Sequence, residues 1–201
     1  QSSPYIDGWH VVAGTRMGEN NYFIAFDKNR DYYILKDKGG KKEKLNFAPL
    51  AIAYDAKPAP EKAETLYLLD ARNQKVYSCS ADLKGLKEVR VDFGNLQQLS
   101  GFAVYEDQLY FTTLNGKLER YSLSAGVLQP SSFNSSSLQG ITVDANGNIY
   151  LTDPKSTSVF GGSAAEFDAA FTALSDIEKA KNAGLKYPAH VLVDADGYIY
   201  V

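Results

Sequence analysis

A short tyrosine-centred pattern recurs along the chain, and this recurrence limits the possible folds more than any other feature of the sequence. It is clearest at residues 66–70 (LYLLD), 109–112 (LYFT), 149–153 (IYLTD) and 199–201 (IYV), with a weaker copy at 23–27 (FIAFD). The tyrosines of the four clear copies are 43, 40 and 50 residues apart. A period of this length indicates a chain built from repeated supersecondary units.

A second short apolar segment precedes each copy, at residues 9–13, 51–54, 101–105, 140–143 and 190–193. Turn-forming Asp, Asn and Gly residues join the two segments, most clearly at 144–148 and 194–197. Further strand-like segments follow the second and third copies, near 75–80, 87–93, 117–122 and 126–133. Several of the segments are apolar on consecutive residues, which is typical of strands covered on both faces.

Four-stranded antiparallel sheets that pack face to face in a ring have such strands, and a repeat of this length fits one blade of a β-propeller. We therefore predict an all-β chain with a single propeller domain over residues 1–201 and about 4.5 blades. The predicted blades are 9–47, 50–93, 100–133, 139–184 and a partial fifth at 188–201.

The long interval before the last copy contains a different pattern. Between residues 163 and 184 the apolar residues Phe167, Phe171, Leu174 and Ile177 follow helical spacing. Ser163 and Glu166 have the spacing of a capping box. The sequence therefore predicts a helical insertion near 163–184, as one helix or two shorter ones, which replaces or covers the outer strand of the fourth blade.

Residues 140–153 (GITVDANGNIYLTD) resemble the core of an NHL repeat, and residues 190–201 resemble its first half. The chain is thus similar to NHL-repeat, SMP-30/gluconolactonase-like and YWTD-related propellers. This resemblance implies a ring of four-stranded blades, commonly six. The chain would then be a small five-bladed ring or a fragment of a six-bladed one, and the unpaired edge expected at 198–201 favours the fragment.

Candidate site residues lie at the start of the innermost strands, which line the central channel of a propeller. Both histidines of the chain, His10 and His190, occupy this position, and Trp9 is next to His10. Two imidazoles could begin a Zn or Ca site at the channel mouth, with a carboxylate and water completing it. The resemblance to NHL-like amidating lyases implies zinc-binding histidines here. The alternative is that each histidine caps a strand or bonds to a backbone carbonyl.

Composition excludes several classes of function. The net charge is −3 and no basic stripe is present, which argues against nucleic-acid binding. The one dense lysine run, residues 36–44, is interrupted by Asp, Gly and Glu and predicts a solvated hairpin tip.

No apolar run is long enough to span a membrane. Cys79 is the only cysteine, so we expect a buried thiol and no intrachain disulfide. The aspartates that repeat at strand ends are expected to form turns; they are Asp27, Asp55, Asp70, Asp144, Asp153 and Asp194.

Two functions from different classes follow. The first is an extracytoplasmic, NHL-like binding module without a cofactor, which recognises a protein, peptide or glycan at the channel mouth through Trp9, His10 and His190. The alternative is an SMP-30/gluconolactonase-like or lyase-like enzyme, a lactonase, hydrolase or lyase, with a divalent metal in the channel. The missing catalytic motifs favour the first. A chain that starts with Gln1 has been processed or cut, and either a removed signal peptide or a boundary chosen within a longer chain would explain this. We expect a secreted, periplasmic or cell-surface protein, able to self-associate through its C-terminal strand edge.

Overall fold

The computed structural model describes residues 8–55, 57–58, 63–169, 171–174, 187–193 and 198–201. Across these residues the strands form five antiparallel sheets, and in each sheet the strands follow one another in chain order. The chain divides into two compact units, Gln1–Val91 and Asp92–Val201.

The first unit contains two sheets of four strands. Sheet 1 comprises β1 (His10–Met17), β2 (Asn20–Phe26), β3 (Tyr32–Lys36) and β4 (Lys42–Leu45). Sheet 2 comprises β5 (Ala51–Tyr54), β6 (Thr65–Asp70), β7 (Lys75–Ser80) and β8 (Lys87–Val89). The lysine run at 36–44 joins β3 to β4, which confirms that it forms a hairpin.

The second unit contains two further four-stranded sheets and a two-stranded one. Sheet 3 comprises β9 (Leu99–Tyr105), β10 (Gln108–Thr113), β11 (Lys117–Ser122) and β12 (Val127–Asn134). Sheet 4 comprises β13 (Gly140–Val143), β14 (Asn148–Asp153), β15 (Ser158–Ser163) and β16 (Thr172–Ala173). Sheet 5 comprises β17 (Leu192–Val193) and β18 (Ile199–Tyr200). The described residues thus form four complete sheets, not the six that the family resemblance implies.

Within the first unit, sheets 1 and 2 pack face to face. Tyr22 and Ile24 of sheet 1 share one buried cluster with Leu66, Leu68 and Cys79 of sheet 2. The Tyr22 hydroxyl donates a hydrogen bond of 2.9 Å to the carbonyl of Ala81. Cys79 is buried and free, as predicted. Burial raises the pKa of its thiol to about 11, with a smaller contribution from Glu43, so this thiol is a packing residue.

Within the second unit, the first strands of successive sheets pack on one another, β9 on β13 and β13 on β17. Glycines make this approach possible. A Cβ on Gly101 would lie 2.8 Å from the carbonyl oxygen of Gln139, and one on Gly140 would lie 2.7 Å from that of Ala189. The Thr152 hydroxyl also donates to the Ala189 carbonyl. The start of each first strand is therefore covered by the chain that leads into the next sheet.

The predicted helical insertion at 163–184 is wrong for the residues that the structure describes. Residues 164–169 form turns and a bend, and Thr172–Ala173 is strand β16, which pairs with β15. Residue 170 and residues 175–186 lie outside the described residues. Over the described part of the chain, no helix is long and apolar enough to cross a membrane.

Contacts with sheet 3 explain why the segment after β15 does not form the predicted helix. Three of its side chains donate hydrogen bonds to carbonyls of the turn segment: Arg120 to Ala164, Ser131 to Phe167 and Ser132 to Asp168. The Arg120 guanidinium also lies 4.5 Å from the centre of the Phe167 ring. Phe167 and Phe171 are buried, as an amphipathic pattern requires. The segment is not helical because side chains of sheet 3, rather than a helical ladder, satisfy three of its carbonyls.

Candidate functional site

One end of sheet 1 carries a row of partly exposed rings. The strand register places His10 opposite Phe26, and Phe26 opposite Tyr32. The His10 ring stacks on Phe26 with the ring centres 4.9 Å apart, and Phe26 lies 5.4 Å from Tyr32. None of the three side chains is fully buried. Three strands thus bring together rings that are far apart in the sequence.

The other face of the same end carries a second aromatic pair. Trp9 meets Tyr33 edge-on, with ring centres 5.0 Å apart and planes at 79°. The Lys42 ammonium lies 5.7 Å from the centre of the Trp9 ring and 5.5 Å from that of Tyr33, and Lys44 lies 6.0 Å from Tyr33. These distances permit cation–π attraction. We call the two faces of this end of sheet 1 together the aromatic end; it comprises Trp9, His10, Phe26, Tyr32 and Tyr33.

The corresponding positions of the other sheets hold small or aliphatic residues. Sheet 2 has Ala51 opposite Leu69, sheet 3 has Gly101 opposite Thr112, and sheet 4 has Gly140 opposite Thr152. The glycines are needed because the incoming chain leaves no room for a Cβ. In sheet 1 the same positions hold His10 and Phe26, and His10 is exposed. His10 and Phe26 therefore depart from the repeat, whereas Tyr33 follows it, since Tyr77 and Phe160 hold the matching positions of sheets 2 and 4.

The lysines above the aromatic end differ in their ionic contacts. Lys44 Nζ lies 2.7 Å from Asp31 Oδ2, and this hydrogen bond raises the pKa of Lys44. Lys42 makes no ion pair with any of the residues that the structure describes. Lys42 is therefore the cation that a bound anion could recruit at this surface.

The predicted site residues belong to two different units of the chain. Trp9 and His10 are neighbours in the first unit, whereas His190 belongs to the second unit, where it is exposed and precedes β17. No three His, Cys, Asp or Glu side chains of the described chain are grouped so that they could hold a metal ion. A shared metal site of His10 and His190 stays a prediction.

The repeated aspartates form turns, as predicted. Asp27 accepts hydrogen bonds from the backbone N–H groups of Asn29 and Asp31, and Asp144 accepts them from those of Asn146 and Asn148. Asp70 and Asp153 likewise accept backbone hydrogen bonds from the turn that follows each. Asp194, which was predicted to behave in the same way, lies outside the described residues.

Two cavities lie elsewhere. One of about 200 Å³ is lined by Met17, Tyr54, Asp55 and Tyr67, among others, in the first unit. Burial raises the pKa of Tyr54 there. A more open cavity of about 360 Å³ lies over sheet 4 beside Tyr150. Neither contains a residue of the predicted site.

Sheet 5 and the residues beside it expose apolar side chains. The most exposed are Leu192 and Tyr200 within the sheet and Tyr187 and Tyr198 beside it. Over the described residues β18 has one neighbouring strand, β17. Self-association through this edge stays a prediction.

Comparison with known proteins identifies the fold. The sequence matches no protein-family profile and no curated protein. A chain of the nidogen/laminin complex crystal structure has a TM-score of 0.69 at 16% identity, over 94% of this chain and 71% of that one. A catalytically inactive virginiamycin B lyase from Staphylococcus aureus with quinupristin has a TM-score of 0.62 at 13% identity, over 92% of this chain. The chain is a β-propeller.

Each four-stranded sheet is accordingly one blade of the propeller, so that the described residues contain four complete blades. The computationally designed Ika4 protein is also similar, with a TM-score of 0.51 at 9% identity, over 77% of this chain and 91% of that protein. This chain spans 60% of the lyase. The finer resemblance to NHL-repeat and SMP-30-like propellers stays a prediction.

Trp9 and His10 were predictable from the sequence, whereas Phe26, Tyr32 and Lys42 were not recognised as parts of the same end of sheet 1. The sequence contained a signal for Phe26. In the copy at 23–27 a phenylalanine precedes the final Asp27, whereas the copies at 66–70 and 149–153 have Leu69 and Thr152 at that position. Aligning the copies position by position would have shown that only the first one is aromatic there.

Proposed function

We propose that this chain is an extracytoplasmic, NHL-like propeller that binds a protein, peptide or glycan and does not itself catalyse a reaction. The ligand docks on the aromatic end of the first blade. Trp9 and His10 precede and begin the first strand of the blade, which supports our proposal that this surface lies at the channel mouth.

The observation that carries the proposal is the replacement of the small or aliphatic pair of the repeat by His10 and Phe26. These two rings join Trp9, Tyr32 and Tyr33 in a group of five rings, none of which is fully buried. Aromatic rings provide large contact areas at little cost in side-chain entropy, and Trp and Tyr are enriched at binding hot spots. The ring contacts of 4.9–5.4 Å hold the surface in place before a ligand arrives. The nidogen/laminin neighbour lends support, since its structure is that of a complex.

Fluorescence offers a direct test, because Trp9 is the only tryptophan. Soluble oligosaccharides and peptides are titrated into the protein, and binding at the aromatic end should change the intensity or wavelength of Trp9 emission. His10→Ala should weaken the binding of any ligand found by about tenfold or more, as expected for a hot-spot contact. Tyr187→Ala, at an exposed aromatic residue of the second unit, is the matched control and should leave affinity unchanged.

The proposal fails if ligands identified by an independent method, such as a glycan and peptide array, leave Trp9 emission unchanged and bind His10→Ala as tightly as the parent protein. The extracytoplasmic location is tested by detecting the protein in the medium, periplasm or surface fraction of its source cells. Asn134, the exposed last residue of β12, begins an N-glycosylation sequon and is compatible with secretion.

A second candidate is an SMP-30-like or lyase-like enzyme with Zn or Ca bound by His10 and His190. Two observations favour it: both histidines are exposed at or next to the start of a first strand, and one structural neighbour is a lyase. Zinc or calcium added to the metal-free protein should then raise the melting temperature and shift the NMR signals of both imidazoles. No change in either signal would remove this candidate.

A further inference from the structure

We propose that the ligand of the aromatic end is a carbohydrate that carries carboxylate groups, of the uronic-acid class, and that Lys42 binds its carboxylate. This inference rests on the proposed function and adds the chemistry of the ligand.

Strand β4 directs its two lysines to the same face. Lys42, Glu43 and Lys44 alternate along the strand, and the register places Lys44 opposite Tyr33 and Glu43 opposite Ile34. Side chains alternate between the faces of a sheet, so Lys42 and Lys44 share the face of Tyr33, whereas Glu43 points to the other face. The Trp9–Tyr33 pair therefore has two cations beside it, although the chain as a whole has a net charge of −3.

Only one of these cations is available. Lys44 is bound to Asp31 at 2.7 Å, whereas the Lys42 ammonium lies over both rings without a carboxylate partner among the described residues. Lys42 is also exposed. A charge-assisted hydrogen bond to a carboxylate is stronger than an exposed cation–π contact. A carboxylate that reaches this ammonium would thus draw it away from the ring faces and expose them to the rest of the ligand.

The two rings suit a sugar. Trp9 and Tyr33 meet at 79° and form a corner, and neither is fully buried. A pyranose can lay its C–H face on an aromatic ring, and a uronic acid carries a carboxylate on the carbon next to its ring oxygen. One sugar residue therefore supplies both the apolar face and the anion. An acidic peptide would need two separate side chains to do the same, so we favour the sugar.

The test compares four probes in Trp9 fluorescence titrations: trigalacturonic acid, its methyl ester, a neutral trisaccharide of glucose, and a short poly-glutamate peptide. We expect trigalacturonic acid to bind at least about tenfold more tightly than its ester, the neutral sugar or the peptide, and its affinity to fall with added salt. Lys42→Gln should weaken its binding by about tenfold, whereas Lys42→Arg should retain binding. Lys87→Gln, at an exposed lysine of β8, is the matched control.

The outcomes separate the two proposals. Equal binding of the acid and its ester, or no effect of Lys42→Gln, overturns the carboxylate inference and leaves the binding function standing. Tighter binding of poly-glutamate overturns the carbohydrate assignment. If the array yields ligands that bind and none of them responds to changes at Trp9 or His10, the proposed function itself fails. Because Lys42 is exposed, its substitution should not prevent folding, and circular dichroism checks this.

Discussion

Asp153 is fully buried at the end of β14, and its side chain organises two loops. Its Oδ2 accepts hydrogen bonds from residues 135–137, and its Oδ1 accepts them from the backbone N–H groups of Lys155 and Ser156 at 2.8 and 3.0 Å. Asp153→Asn keeps the shape but replaces one acceptor oxygen by a donor. In either orientation of the amide, at least two donors lose their partner.

The magnitude follows from the burial of the Asp153 side chain. In the variant a buried amide NH₂ group faces donors and stays unsatisfied, which costs about 1–3 kcal/mol, and together with the donors that lose their partner we expect a loss of about 3 kcal/mol in the free energy of unfolding. For a chain of this length that corresponds to a fall of roughly 6–12 °C in melting temperature. The control is Asp144→Asn, because Asp144 also accepts two backbone hydrogen bonds in sheet 4 but lies in a partly exposed turn. Water can replace its partners there, and we expect a loss below about 1 kcal/mol.

The difference in the free energy of unfolding between the Asp153→Asn variant and the parent protein should depend on pH. Burial by itself would raise the pKa of Asp153, but hydrogen bonds from Ser135, Ser156, Ser136 and the loop backbone hold it well below its usual range. A carboxylate with a lowered pKa stabilises the fold above the unfolded-state pKa of about 3.9, and this contribution is lost as the pH falls below it.

Thermal denaturation followed by far-UV circular dichroism, between about pH 7 and pH 2.5, measures this difference. Trp9 fluorescence is unsuitable because Trp9 lies in the other unit. A difference between variant and parent that stays constant down to the lowest pH would refute the electrostatic reasoning. An equal loss in the Asp144 control would refute the role of burial.

Three further predictions concern packing. Arg120→Lys loses the stack on Phe167 and the paired hydrogen bonds to Gln129. In denaturant titrations it should lower the free energy of unfolding by about 1–2 kcal/mol, whereas Arg72→Lys, at an exposed arginine, should change that free energy little. Gly140→Ala places a Cβ 2.7 Å from a backbone oxygen and should cost about 1–3 kcal/mol; a variant that melts like the parent would contradict this close approach. Cys79, with its pKa raised to about 11, should react with iodoacetamide at pH 8 roughly 100-fold more slowly in the native than in the unfolded chain, and rapid native labelling would contradict its burial.

The strands of this protein were predictable because their signals are local. Strands β6, β7, β10 and β11 lie where the apolar segments and turn residues placed them. The turn between β13 and β14 forms as expected, since Asp144 bonds to the backbone two and four residues away and Gly147 supplies a positive φ of 82°. Such interactions need no distant partner.

The segment that follows β15 shows what the sequence by itself could not determine. Its apolar spacing correctly marked Phe167 and Phe171 as buried, but the same spacing fits a helix and a turn packed on a sheet. The choice depended on Arg120, which is more than forty residues away and binds the Ala164 carbonyl.

At the candidate site, too, the sequence determined some features and the tertiary structure determined the others. The sequence by itself determined that Trp9 and His10 lie where a first strand begins, because the repeat fixes that position. Only the tertiary structure decided which rings and cations join them, since Phe26, Tyr32 and Lys42 meet them through strand register, and register is set by pairing and packing across the whole sheet.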